Sequence, residues 1–251
     1  AVSGMHPSVA VVVVTIRALK AHCGRYRLVS GKDLPEEMLQ ENVEDVRDGA
    51  ANLLKHLQIV RGFGITPVVA VNVFPTDHDS EIEEVRRIAH DAGARVAVCH
   101  PVTRGGEGCL DLAGAVVEAC QDVGEPVSTR PAYEPQDDLR TKIAKLAALY
   151  GADGVDYTPA ASRLLDAYER DGFGDLPVIV AKTPLSLSAE PGRKGVPTGW
   201  RLPVREVRLA AGAGYVYAIC GSLSTMPGLS SHPAAERIDV DVDTGEIVGL
   251  R

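Results

Sequence analysis

The chain has 251 residues, room for one large domain or two small ones at about 100–200 residues each. Hydrophobic residues make up 45%, enough to bury a sizeable core, but aromatics are only 4%, so that core must be built from Val, Ala, Leu and Ile. A net charge of −8 argues against nucleic acid or a membrane surface as partner, and no apolar run approaches the ~20 residues that span a bilayer; a soluble, cytoplasmic enzyme is expected.

Val9 to Thr15 is a continuous β-branched run, the pattern of a strand buried on both faces of a parallel sheet. From Glu41 to Gly62 the apolar residues Val43, Val46, Ala50, Leu53, Leu54, Leu57 and Val60 recur at three and four, which predicts a helix. Its acidic residues lie at the start and Lys55, His56 and Arg61 towards the end, as the macrodipole prefers. Pro67 to Val73 reads as a second buried strand, Asp79 to Ala92 as an amphipathic helix, Arg95 to Cys99 as a third strand and Leu110 to Cys120 as a third helix. This alternation is the signature of βαβ units around a parallel sheet, so the fold class is α/β.

Residues 124–140 are rich in Pro, Asp and Glu and mark a boundary. We therefore expect an α/β domain over 1–124 and a smaller α+β domain over 125–251. The second part is expected to hold helices at 138–149 and 158–171, the latter started by Thr158-Pro159. A buried strand at Leu176–Lys182, strands at Val204–Leu209 and Gly214–Ile219, and a terminal hairpin around Asp243-Thr244-Gly245 follow.

The five cysteines are odd in number and form no C-x-x-C pair, so reduced, mostly buried thiols are expected rather than a disulfide frame or zinc site. No metal site is expected. The chain opens on Ala rather than Met, which suggests a cut or processed start.

Ligands of a parallel α/β sheet sit outside the carboxyl ends of its strands. Three loops here carry polar and glycine residues that a structural turn does not need: Thr15–Lys20, Asn72–Asp77 and His100–Gly108. The later strand delivers Lys182–Ser188 in the same way. Phe74, one of only three Phe, either stacks on a planar ligand or closes the core. Asn72 with Asp77 five residues on either resembles a nucleotide-base recognition loop or is structural, Asn72 tying loops together and Thr76-Asp77 capping the next helix. Arg104–Gly108 can turn N–H groups toward an anion, or be a plain glycine-rich helix start. Arg17 and Lys20 place two cations by the crevice unless they are merely solvated, and His100 is an acid–base candidate or incidental. No G-x-x-x-x-G-K-[ST] segment occurs, so the chain has no P-loop of its own; H-E-x-x-H, G-x-S-x-G and a convincing G-x-G-x-x-G are missing too.

The segment Val14-Thr15-Ile16-Arg17-Ala18-Leu19-Lys20-Ala21-His22-Cys23-Gly24 closely resembles a signature of formate–tetrahydrofolate ligases. Asn52-Leu53 with His56, Phe63-Gly64, Phe74-Pro75-Thr76-Asp77, Gly105-Gly106-Glu107-Gly108 and Tyr150-Gly151-Ala152 resemble the same family in the same order. So do Gly172 to Pro177, Ala181-Lys182-Thr183 and Thr225-Met226-Pro227-Gly228-Leu229, and the likeness runs from end to end.

The resemblance implies a P-loop-NTPase-like architecture without the P-loop itself, which in the family lies in a preceding half; this chain resembles the C-terminal half. It implies the joining of formate to tetrahydrofolate through formyl phosphate, with ATP (with Mg) and tetrahydrofolate as substrates and a monovalent cation as a further candidate. A homo-oligomeric complete enzyme is implied as well. Phe74 matches one of two aromatic residues that sandwich the pterin; the other, usually Trp, is Val102 here, while Cys23 replaces a glycine and Val14 an alanine. Pro75, Thr76, Val102, Gly105 and Gly106 would shape the folate slot, and Thr225, Pro227, Gly228 and Leu229 would lie against the adenine. Arg17 would neutralise the phosphoryl or formyl phosphate group. The leading reading is a ligase portion inactive without its P-loop half. The alternative is a non-catalytic folate-binding or assembly module that works with a separate P-loop partner. Either way, a half-sheet parted from its neighbour is expected to expose apolar edges.

Overall fold

The β-branched run near the start of the chain is a strand in the computed structural model, which describes residues 6–28, 34–123, 129–221 and 233–249. β1 (Val9–Val14) pairs in parallel with β2 (Thr66–Asn72), and β2 with β3 (Arg95–Cys99), in the order β1-β2-β3. Pro67 sits one residue before β3 begins to pair, at Val68↔Arg95, so the β2–β3 ladder never needs its missing N–H. Val68 to Val71 are fully buried, as a central strand requires.

β1 departs from its expected double burial. Among the described residues it is an edge strand paired only with β2, and Val11 and Val13 are 44% and 64% exposed. Val12 and Val14, on the opposite face, pack into the core with Leu53, Leu57, Val69 and Val71. The pleat of one edge strand thus separates a buried row from a bare apolar row.

Between β1 and β2 lie α1 (Ile16–His22), α2 (Glu36–Leu39) and α3 (Val43–Gly62). Residues 15–20, expected as a loop, begin a helix instead, because the Thr15 side chain accepts the Ala18 N–H at 3.1 Å and caps the first turn. α1 crosses α3 at Gly49, where a Cβ would stand 1.9 Å from the Leu19 carbonyl oxygen. Only glycine allows that approach. α3 starts at an Asn42 cap, and Arg25 and Tyr26 both reach its buried Asp45.

Lys20 was expected at the crevice or in solvent and is in neither. It is 2% exposed and pairs with the buried Glu81. Its Nζ also donates to Met38 O at 3.0 Å and Gln40 O at 2.6 Å. A buried ammonium with carbonyl and carboxylate partners ties α1 and α2 to α4 (Asp79–Asp91). After β3 come α5 (Pro101–Arg104), a 3-10 turn at Gly105–Cys109 and α6 (Leu110–Val123).

The following part has its own core, centred on Leu139, Ile143, Leu165, Trp200, Leu202 and Val216. It is built by α7 (Leu139–Leu149), β4 (Val155–Tyr157), α8 (Pro159–Arg170), β5 (Val178–Ala181), β6 (Leu202–Ala210) and β7 (Tyr215–Cys220). The strands form a mixed sheet in the order β4-β6-β7-β5, with only β6–β7 antiparallel. Thr158 caps α8 and Pro159 takes its first turn, as that dipeptide predicts. β4, three residues long, is too short to show a period.

The described residues fall into two compact units, divided after Gly221. The second unit contains a hairpin, β8 (Asp239–Val240) with β9 (Ile247–Val248), around the turn that Asp243-Thr244-Gly245 signals. All five cysteines are free; Cys99 and Cys220 are buried and Cys23, Cys109 and Cys120 only half-buried. Among the described residues no helix is long and apolar enough to cross a membrane.

Candidate functional site

The carboxyl ends of β1 and β2 place Arg17, Phe74 and Thr76 together. Arg17 leaves the first turn of α1 and lays its guanidinium over the Phe74 ring, 3.8 Å from the centroid. Its Nη2 donates to Thr76 Oγ1 at 3.4 Å. Phe74 itself is half-buried, so it neither closes the core nor stands free, and Pro75 and Thr76 are exposed beside it.

The ring is held by its own loop. Phe74 N donates to Asp77 Oδ2 at 2.9 Å and Asp77 N donates to Phe74 O at 3.0 Å. The expected capping role of Asp77 is corrected by this pair. His78 is the residue that precedes α4, and its backbone N–H reaches Glu81, while the Asp77 carboxylate points back to Phe74. Burial raises the Asp77 pKa, opposed by the Phe74 N–H and by Arg17. A short reciprocal loop of this kind orients an aromatic ring with few residues.

Two buried polar atoms of these strand-end residues have no hydrogen-bond partner among the described residues: Arg17 Nε, a donor, and Asn72 Oδ1, an acceptor. Asn72 therefore does not tie the loops together through that oxygen. Such orphans are rare in folded proteins, and a ligand is one means of satisfying them.

At the end of β3, Val102 lies on α5 and Gly105 and Gly106 on the turn after it, all exposed. Gly105 has φ +54, a conformation that favours glycine. Gly108 is fixed differently: a Cβ there would meet His100 O at 2.6 Å, and Gly108 O accepts the His100 N–H at 2.9 Å. Gly106 has open space where a Cβ would stand. Thr225, Pro227, Gly228 and Leu229 lie outside the described residues.

The sequence profile of formate–tetrahydrofolate ligase matches residues 1–251, the whole chain. The chain belongs to that family. It is similar to the formate–tetrahydrofolate ligase of Saccharopolyspora erythraea, 59% identical over 249 residues, which are 99% of this chain and 43% of the relative. The ligase of Cutibacterium acnes is 56% identical over 250 residues, 99% of this chain and 44% of the relative. Formate–tetrahydrofolate ligase 3 of Rubrobacter xylanophilus is 50% identical over 256 residues, again 99% and 44%. The chain thus spans less than half the length of the curated ligases it matches.

Within this ligase-family chain the loop after β5 lines a place of its own. Lys182 faces a cleft lined also by His22, Asn52, His56, Tyr150 and Trp200, and neither Phe74 nor Val102 is among its lining residues. The loop after β5, which the pattern set beside the other three as a ligand loop, instead meets the far end of α1 and one face of α3. His22 and His56 carried no functional weight in the sequence beyond the motif likeness, and Trp200 carried none. The one available signal was that Trp200 is the only Trp in the chain.

Proposed function

We propose that the chain is the C-terminal portion of a formate–tetrahydrofolate ligase and supplies its folate face. The observation that carries this reading is the Arg17–Phe74–Thr76 group at the strand ends, within a chain matched from end to end by the ligase family. Phe74 stacks on the pterin, using the ring surface that half-burial leaves open. Pro75 and Thr76 on one side and Val102, Gly105 and Gly106 on the other shape the slot. The orphaned Arg17 Nε and Asn72 Oδ1 offer a donor and an acceptor to a heterocycle or to an anionic oxygen. Arg17 also carries a fixed positive charge, which suits a phosphoryl or formyl phosphate group.

ATP, formate and tetrahydrofolate are the substrates of this reading, and Thr225 to Leu229 lie against the adenine. Mg arrives with ATP in this reading, and a monovalent cation is a further candidate. The β1–β3 half takes the P-loop-NTPase-like architecture without the P-loop, and a P-loop half of the complete ligase makes the formyl phosphate. The boundary near residue 124 belongs to the same reading and is supported by two buried cores that share no residue. The bare row of Val11 and Val13 supports a further segment packed on β1. The complete enzyme is a cytoplasmic homo-oligomer in this reading.

The test is turnover. Formate, ATP and tetrahydrofolate are incubated with the purified chain, alone and with a partner carrying G-x-x-x-x-G-K-[ST]. Product is expected only with the partner; turnover by the chain alone would overturn its catalytic incompleteness. A tetrahydrofolate affinity unchanged by Phe74→Ala would remove the stacking role.

A further inference from the structure

The cleft at the end of β5 has a volume of about 320 Å³, at the small end of ligand sites. Its polar lining among the described residues consists of bases and neutral donors: His22, His56, Lys182, Asn52, Tyr150, Thr183 and Ser186, with no Asp or Glu. The rest is apolar, with Leu146, Val180, Leu187, Trp200 and Leu202. Lys194 stands close enough to His22 to depress its basicity.

The walls are held rigidly. Gly195, at φ +65 in the connection between β5 and β6, donates its N–H to His22 Nδ1 at 3.1 Å and accepts from Asn52 Nδ2 at 3.2 Å. With Nδ1 an acceptor, the proton of neutral His22 must sit on Nε2, which is then a donor. Lys182 Nζ donates to Ser186 O at 2.5 Å and Thr183 O at 3.2 Å, which leaves one of its three N–H groups. Trp200 is 3% exposed, and its indole N–H has no hydrogen-bond partner among the described residues.

Electrostatics agree with this inventory. Burial and the neighbouring Lys194 and His56 push His22 down to about 4. Burial and Lys182 lower His56, and burial lowers both Lys182 and Lys194. Basic groups have gathered around a half-apolar hollow whose described lining holds no Asp or Glu.

We propose that this cleft is a second ligand site, separate from the Phe74 crevice, and that it takes a small organic carboxylate. The carboxylate oxygens sit against Lys182 and the histidines, and a short apolar body rests on Leu146, Leu187 and Trp200. The apolar half of the wall favours such a ligand over inorganic phosphate, whose four oxygens all demand polar partners. The site does not depend on the folate reading, since none of its residues belongs to that crevice.

Trp200 makes the test direct, because the chain has no other Trp. The full chain is titrated with butyrate, formate and inorganic phosphate while its tryptophan emission is followed. Saturable change with butyrate is expected, with weaker response to phosphate and no effect of Phe74→Ala. Lys182→Met and His56→Leu should each weaken butyrate by about tenfold, the loss of one charge-assisted or buried hydrogen bond. Lys182 also braces its loop, so far-ultraviolet circular dichroism checks both variants, and His56→Leu decides if Lys182→Met is unfolded. An absent or non-saturating response to butyrate, unchanged affinity in folded His56→Leu, tighter phosphate than butyrate, or loss of the response in Phe74→Ala would each overturn the proposal.

Discussion

The Phe74 crevice and the Lys182 cleft are built from opposite ends of one short helix. α1 sends Arg17 to the crevice from its first turn and His22 to the cleft from its last. The crevice is assembled at shorter range, with the Phe74–Asp77 loop closed by its own two hydrogen bonds and Arg17 reaching Thr76 across 59 positions. The cleft is assembled at long range: Gly195 reaches His22 across 173 positions and Asn52 across 143. A local site survives small shifts of its scaffold, whereas a long-range one inherits every error in helix placement. Between the two lies Lys20, which anchors α1 to Glu81 and to the α2 carbonyls.

That arrangement sets which changes should strike both sites and which only one. Lys20→Met should do the most damage, because it strands the buried Glu81 carboxylate. A loss of about 3–5 kcal/mol is expected in urea unfolding, with both ligand responses failing together. Gly49→Ala comes next: its methyl runs into the Leu19 carbonyl, and displacement of α1 should cost about 1–3 kcal/mol. If it weakened the crevice and spared the cleft, the shared-helix comparison would break.

Phe74→Ala should act on the crevice alone, lowering tetrahydrofolate affinity by about 0.5–1.5 kcal/mol, roughly twofold to tenfold, in calorimetric titration. Arg17→Met should be of similar size there and silent at the cleft. A further effect is one of pH and belongs to the cleft. His22 titrates near 4 in the folded chain against 6.5 ordinarily, so the unfolded chain binds the extra proton first. Stability should therefore fall as the pH drops from about 6.5 towards 4, and His56 shifts in the same direction. His22→Asn should flatten the melting temperature over that window. Glu84, held near 2 by Arg87 and Arg47, loses its contribution only below the ordinary 4.5 as the pH falls, which separates the two effects.

Much of this molecule is visible in its pattern. The buried β2 run, the amphipathic α3 and α4, and the Thr158-Pro159 start of α8 all follow from periods and caps that act within a few residues. Phe74 at a strand end was likewise legible, since a rare aromatic beside a turn is a local signal. Less visible were elements whose cause lies far away. Thr15–Lys20 read as a loop after the strand, and the packing of α1 across Gly49 is not written in that segment. Lys20 looked solvated because charged residues usually are; its burial depends on Glu81, sixty-one positions on, and on carbonyls of α2. Val11 and Val13 looked like core because a run of valines cannot say which neighbour covers each face.

The sequence by itself determined the α/β class, the order of the main elements and the family likeness, because hydrophobic period and turn chemistry are properties of neighbouring residues. Tertiary structure alone decided that Arg17 lies on the Phe74 ring, that Lys20 is buried, and that His22, His56, Lys182 and Trp200 share one cleft. Those facts depend on how far-separated segments pack, and packing answers to volume and charge across the whole fold.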